Sequence, residues 1–298
     1  MAVIARVFTT KSKYTPDDDL AFFDVPDMFT PRVDEVHVSC LFTWDKPRAE
    51  ELAKQWGAVC DDVRIGGPAF GAHGGEFEPG KYVRVGYVQT SRGCPRRCDF
   101  CLVPPREGRI RELEIHDGPW IMDNNLLACS REHQEKVFDM LEGQRGIKFL
   151  GGLDTHRLKK WQLDRLAILR KRISFLYLAY DDERDKDSVR DAIVSLYERG
   201  FKQSQIWCFV LVGFGEDTTE EAEKRCEWVF VNGAVPFASY YRGPNEENPR
   251  KPKDWSELTK RWTYTPVIFS RLKREGPHHH PRILRGNLAV EEEVKICL

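Results

Sequence analysis

Ser91-Arg92-Gly93-Cys94-Pro95-Arg96-Arg97-Cys98-Asp99-Phe100-Cys101 places three cysteines within eight positions, spaced C-x3-C-x2-C. Thiolates are soft metal ligands, and three on one short loop can converge on a single centre. A structural zinc site is closed by four ligands. An electron-transfer [4Fe–4S] cluster is likewise held by four thiolates. Three ligands alone leave one iron of such a cluster open to another molecule. Zinc remains open on the same residues if His116 or Cys129 supplies a fourth ligand.

The other cysteines do not suggest a disulfide framework. The total is nine, an odd number, and the residues outside the loop are scattered. Residues 1–13 lack the apolar run of an export signal, so a reducing, cytoplasmic setting is expected. No stretch approaches the roughly 18 apolar residues of a membrane span, and no membrane association is expected. A net charge of −1 exerts no global pull on nucleic acid. The 298 residues fit one large α/β domain or two small ones.

Outward from the loop, the chain alternates between two periodicities. An apolar segment at 82–88 runs directly into the cysteines. Strand-like segments follow at 120–122, 147–150, 175–179, 205–212 and 235–241. Between them the spacing predicts helices over 131–142, 159–172 and 187–199, and from Thr218 or Thr219 through Phe230. Ser130 is placed as an N-cap and Gly200 as a helix stop. Six strands alternating with helices read as βαβ repetition around a parallel sheet, open or partly closed. Polar residues at the C-terminal strand ends then face the site: Ser91 to Gly93, Asp123 to Asn125, Asp154, Asp181, Asp182, Gly213 to Glu216 and Arg242. Turn preference alone also puts Asp, Asn and Gly at such ends.

Upstream, strands at 4–8, 36–42 and 63–68 and a helix at 48–56, closed by Gly57, predict a small α/β extension. Residues 71–80 are glycine-rich and read as a linker. Downstream, Trp255, Trp262, Tyr264 and Phe269 are expected to cover one end of the main body. The histidines at 278–280, flanked by prolines, read as a surface loop rather than a metal site. Trp44, Trp56 and Trp120 read as core. The division expected is therefore 1–80, 81–242 and 243–298.

The loop, with aromatic Phe100 just before its third cysteine, resembles the signature of the radical S-adenosylmethionine superfamily. The resemblance covers about residues 82–242. It implies a partial (β/α)6 TIM-like barrel, with the N-terminal extension and a C-terminal cap added. It implies that Cys94, Cys98 and Cys101 ligate a [4Fe–4S] cluster whose open iron binds S-adenosylmethionine. The reduced cluster then cleaves the C5′–S bond, and the 5′-deoxyadenosyl radical abstracts hydrogen from a substrate. Phe100 matches the aromatic near the adenine. Asp123, Asn124 and Asn125 stand where many members carry a Gly-Gly-Glu motif for the amino group of S-adenosylmethionine, and Asp or Asn can accept the same hydrogen bonds. Asp181 ends the fourth strand, and Val212 and Gly213 fall in a segment similar to the adenine-packing fifth strand. A flavodoxin or ferredoxin is the implied electron donor.

Departures from the superfamily's subgroups narrow the expectation. No cysteine-rich C-terminal extension follows Cys226, only Cys40 and Cys60 precede the loop, and His37 and His73 lack the Asp-x-His-x-x-Gly pattern. One cluster and no cobalamin are expected. The substrate is not specified. Arg157, Lys159, Lys160, Arg165, Arg170, Lys171 and Arg172, with Asp164 the only acid among them, read first as a solvated helix face. A nucleic-acid substrate is compatible with the same residues. Arg96 and Arg97 either offset a cluster's charge or favour an anionic partner. The competing reading is a non-catalytic binding protein, stabilised by zinc or carrying a cluster.

Overall fold

Strand β1 (Ile4–Phe8) buries four of its five residues and pairs in parallel with β2 (Ala21–Phe22) and β3 (Glu35–Ser39). Helix α1 (Lys46–Trp56), with Pro47 in its first turn, lays Ala49, Leu52 and Trp56 on this sheet. Strand β4 (Val63–Gly66) completes the order β2-β1-β3-β4. The computed structural model describes residues 2–71, 74–243 and 251–275. His73, the 277–281 histidine segment and Cys297 lie outside the described residues.

The main body is built from β5 (Tyr87–Val88), β6 (Ser91–Arg92), α2 (Val103–Glu107), β7 (Arg111–Glu112), β8 (Trp120–Ile121), α3 (Arg131–Glu142), β9 (Ile147–Phe149), α4 (Lys160–Leu169), β10 (Ile173–Ala179), α5 (Lys186–Glu198), β11 (Ile206–Val212), α6 (Thr219–Val231) and β12 (Val235–Tyr240). Six of these strands form one parallel sheet, in the order β12-β11-β10-β9-β8-β5. The chain is thus an α/β protein with parallel sheets. The capping residues act as their types predict. The Ser130 hydroxyl accepts from His133 N–H, and Thr218 and Glu221 cap each other at the start of α6.

The two faces of the sheet differ in chemistry because side chains alternate along each strand. Leu176 and Leu178 on β10, and Ile206, Cys208, Val210 and Val212 on β11, are buried in the aliphatic core shared with the helices. The opposite face is aromatic. Tyr87 packs on Trp120 at 4.6 Å between ring centres, and Tyr177 stacks on Phe209 at 4.0 Å. The Lys148 ammonium sits between the Trp120 and Phe175 rings. This aromatic layer reaches the cavity at the C-terminal strand ends through Phe209.

Several elements differ from the expectation. The strand expected at 82–88 is only Tyr87–Val88. Gly86 takes φ +97°, and Tyr87 N–H closes a turn onto the Arg84 carbonyl. The glycine-rich stretch is packed rather than free: Phe77 is buried in the main core, and Arg92 and Arg111 donate to the Gly75 and Gly74 carbonyls. Trp56 is core and Trp120 packs on Tyr87, but Trp44 is only partly buried, stacked on Phe42 under the Arg242 guanidinium. Helices α7 (Lys253–Thr263) and α8 (Thr265–Glu275) lie along β12 and α6. Arg271 there pairs with Glu227 and covers the Phe230 ring at 4.2 Å. Phe269 reaches Trp207 near the start of β11, far from the cysteine loop. Among the described residues, no helix is long and apolar enough to cross a membrane.

Candidate metal and cofactor site

The cysteine loop is carried by a hairpin absent from the sequence expectation. Strands β6 and β7 pair antiparallel, Ser91 with Glu112 and Arg92 with Arg111, and residues 93–110 project between them. Gly93 is required at the exit of β6. It takes φ +86°, and a Cβ there would fall 2.3 Å from the Arg109 carbonyl oxygen. Cys94 N–H donates to the Gly108 carbonyl, and Cys101 N–H to the Cys98 carbonyl at 2.9 Å.

All three cysteines are free thiols lining one cavity of about 190 Å³ at the C-terminal ends of β8, β9 and β10. Arg96, Phe100, Asn124, Asn125, Asp154, Asp181 and Phe209 line the same cavity. Among the described residues, no three Cys, His, Asp or Glu side chains are already drawn into a ligating set. Burial pushes the Cys98 and Cys101 thiols up, and the neighbouring thiols push them further; Arg96 pulls the other way. A metal that neutralises them would reverse this balance, since ligation requires thiolates.

The Asp123-Asn124-Asn125 segment divides its work. Asp123 is buried and accepts from Thr90 N–H, the Thr90 hydroxyl and the Ser91 hydroxyl at 2.6–2.7 Å. Both its oxygens are therefore spent within the protein. The Asn124 side-chain oxygen accepts from Gly93 N–H at 3.0 Å. Asn125 is the member with capacity left over. Its amide nitrogen donates to the Cys94 sulfur at 3.4 Å and to Asp154 at 3.0 Å, while its amide oxygen is buried without a partner. A buried orphan acceptor beside the cysteines is a costly arrangement unless something donates to it.

Arg96, inside the cysteine loop, reaches across the cavity. It donates to Asp185 at 2.8 Å and Asp154 at 3.4 Å. Burial lowers its affinity for the proton, but the two carboxylates more than offset that and hold it above its ordinary value. Asp181 accepts from Leu211 N–H, and burial, reinforced by Asp185, pushes its carboxyl up to about 6.

The aromatic and fifth-strand residues separate in space. Phe100 lines the cavity and packs edge-on against Phe214 at 5.7 Å, which in turn meets Tyr241. Val212 lies in the helix-side core, alternating with the face that carries Phe209. Gly213 donates its N–H to Asp217, and its α-carbon faces the Tyr240 ring; neither lines the cavity. Cys129 lines a different cavity, its thiol pushed up to about 12 by burial, and His116 packs near Phe77. Neither lines the cavity of the three loop cysteines. Asp185 and His156, joined at 2.7 Å, were not foreseen. No protein-family model matches the chain.

Proposed function

We propose that the chain is a radical S-adenosylmethionine enzyme built on a partial (β/α)6 barrel. The parallel sheet follows chain order with a helix between each pair of successive strands from β8 to β12, and since such crossovers are right-handed as a rule, this order supports a sheet that curls toward a barrel. The observation that carries the functional reading is the cavity wall: three free thiols from one loop, with no fourth cysteine or histidine lining the cavity among the described residues. That donor set fits a [4Fe–4S] cluster with an open iron better than a closed zinc site.

Cys94, Cys98 and Cys101 would hold the cluster. When bound with S-adenosylmethionine, and supplied with an electron by a small redox protein such as a flavodoxin or ferredoxin, the cluster provides reductive cleavage of the C5′–S bond and hydrogen abstraction from substrate. The chain's own residues then have separable tasks. Asn125 donates to Cys94 and offers its unpaired oxygen to an ammonium donor. Asp181 offers a carboxylate at the far wall, and Phe100 and Phe214 form an apolar edge suited to a purine ring. Asp123 and Asn124 position the loop rather than the ligand.

Anaerobic purification followed by iron and sulfide analysis tests the reading. About four irons per chain and 5′-deoxyadenosine on adding dithionite and S-adenosylmethionine are expected. Replacing any of the three loop cysteines with alanine should remove the iron, whereas Cys208→Ala and Cys226→Ala should retain it. Stoichiometric zinc, or a reduced cluster that leaves S-adenosylmethionine intact, would overturn it.

A further inference from the structure

A second and larger cavity, of about 770 Å³, adjoins the first and shares Arg96 and Asp154 with it. Its volume falls within the range of small-molecule sites. Four segments supply its walls: the cysteine loop, the 127–129 turn, the start of α3 and the segment 154–162. Arg96, Arg131, Arg157, Lys159 and His156 line it, against Asp154 as the one acid among the described residues. Arg131 has its own carboxylate, Glu135 at 2.8 Å, but the other carboxylates that pair with these residues are shared. Asp154 serves both Arg96 and Arg157, and Asp185 serves both Arg96 and His156. Lys159 has no carboxylate partner among the described residues, so positive charge is in excess.

The arrangement is preorganised rather than a loose basic patch. The Asp154 side chain is 4% exposed and fixed by Asn125, so the two guanidinium groups are held from behind by a buried anchor. Gln162 and Gln134, both buried, join side chain to side chain below Lys159, and Gln134 donates onward to the Cys129 and Leu127 carbonyls. Trp161 and Leu127 supply an apolar wall, with the Arg131 guanidinium 5.1 Å over the Trp161 ring. The rest of the basic run goes elsewhere: Arg165 pairs with Asp139, and Arg170 donates to the Gly200 carbonyl.

We propose that this cleft binds the phosphate group of a small phosphorylated substrate whose remaining part reaches into the cysteine cavity. Arginine forks and an unpaired ammonium from different elements suit a multiply charged, tetrahedral anion. Trp161 and Leu127 suit an apolar or ring-bearing portion beside it. The cleft's binding of phosphate stands on its own geometry; its role as the substrate's seat rests on the radical enzyme reading.

Calorimetric titration of the purified chain, with and without its iron, tests this using inorganic pyrophosphate, a nucleoside 5′-monophosphate and the matching nucleoside. Both phosphates should bind in a salt-sensitive manner, the nucleotide more tightly, and the nucleoside alone far more weakly. Lys159→Ala breaks no ion pair and should weaken phosphate binding by about tenfold, with Arg170→Ala as an unaffected charge control. No phosphate binding, or equal loss in the Arg170 variant, would overturn the proposal. So would binding of single-stranded oligonucleotides that strengthens with length and ignores Lys159. If phosphate binds a chain that never holds iron, the radical reading fails alone. If 5′-deoxyadenosine forms while phosphate does not bind, the cleft proposal fails alone.

Discussion

Asp123 accepts two hydrogen bonds from Thr90, one from its backbone N–H and one from its hydroxyl, each at 2.6 Å. The pair ties the end of β8 to the segment between β5 and the cysteine loop, 33 residues away in sequence. Burial raises the Asp123 carboxyl while the bonds from Thr90 and Ser91 pull it back. Asp123→Ala would strand three buried donors and should cost about 3 kcal/mol or more. Asp123→Asn keeps one acceptor oxygen, and the hydroxyls can turn to accept, so it should cost distinctly less. Urea midpoints of the two variants decide this. Equal losses would mean that the amide cannot serve these donors and that both carboxylate oxygens are needed.

Gly151 sits against the same strand end. A Cβ on it would lie 1.8 Å from the Asp123 carbonyl oxygen, which is backbone and cannot swing aside. Gly151→Ala should therefore destabilise the chain by about 3 kcal/mol. Gly152→Ala is the control. Its nearest neighbour would be 3.7 Å away, an ordinary contact, so its thermal midpoint should hardly move. A wild-type midpoint for Gly151→Ala would show that β8 and β9 can part at this end.

What was legible beforehand depended on range. Strands β10 and β11 and helices α3 and α6 announce themselves because apolar period and caps lie within a few residues of one another. The cysteine loop was legible from spacing alone. Strand β8 falls within the expected 120–122 segment, but β5 keeps only the last two residues of the expected 82–88 run, because the turn at Gly86 cuts the ladder short. The convergence of Arg96 with Asp154 and Asp185 spans 58 and 89 residues, and no local signal encodes it. The basic run shows the same limit. Arg157 and Lys159 precede α4 and turn into the cleft, whereas Arg165 and Arg170 face the outer surface.

Asn125 offers a test of the cysteine cavity that does not depend on turnover. A hydrogen bond to a cluster sulfur stabilises the more negative, reduced state and raises the reduction potential. The Asn125 amide donates to Cys94. Asn125→Ala should thus retain iron but shift the potential of the proposed cluster downward, as followed by anaerobic redox titration. An unchanged potential at full iron content would show that the 3.4 Å contact does not persist once the metal is bound.

Asp181 predicts a pH dependence of opposite sign to the usual carboxylate. Its carboxyl is pushed up to about 6 in the folded chain, from an ordinary value of 3.8, chiefly by burial. Between these values the folded chain holds a proton that the unfolded chain has released, so stability falls as pH rises through that window. The contribution is fully present below about pH 4 and gone above about pH 6. Asp181→Asn keeps an acceptor for Leu211 N–H but cannot ionise. In the iron-free chain it should match wild type near pH 4 and exceed it by about 1–3 kcal/mol at pH 7–8. Denaturation curves at the two pH values test this. A gain that is the same at both would assign the effect to packing instead of charge. In the proposed loaded site, S-adenosylmethionine would bring a hydrogen-bond donor to this carboxylate. Adding S-adenosylmethionine to the iron-loaded wild type should then shrink the advantage of Asp181→Asn at pH 7–8, because a hydrogen-bond donor at the far wall stabilises the ionised carboxylate and leaves the amide unmatched.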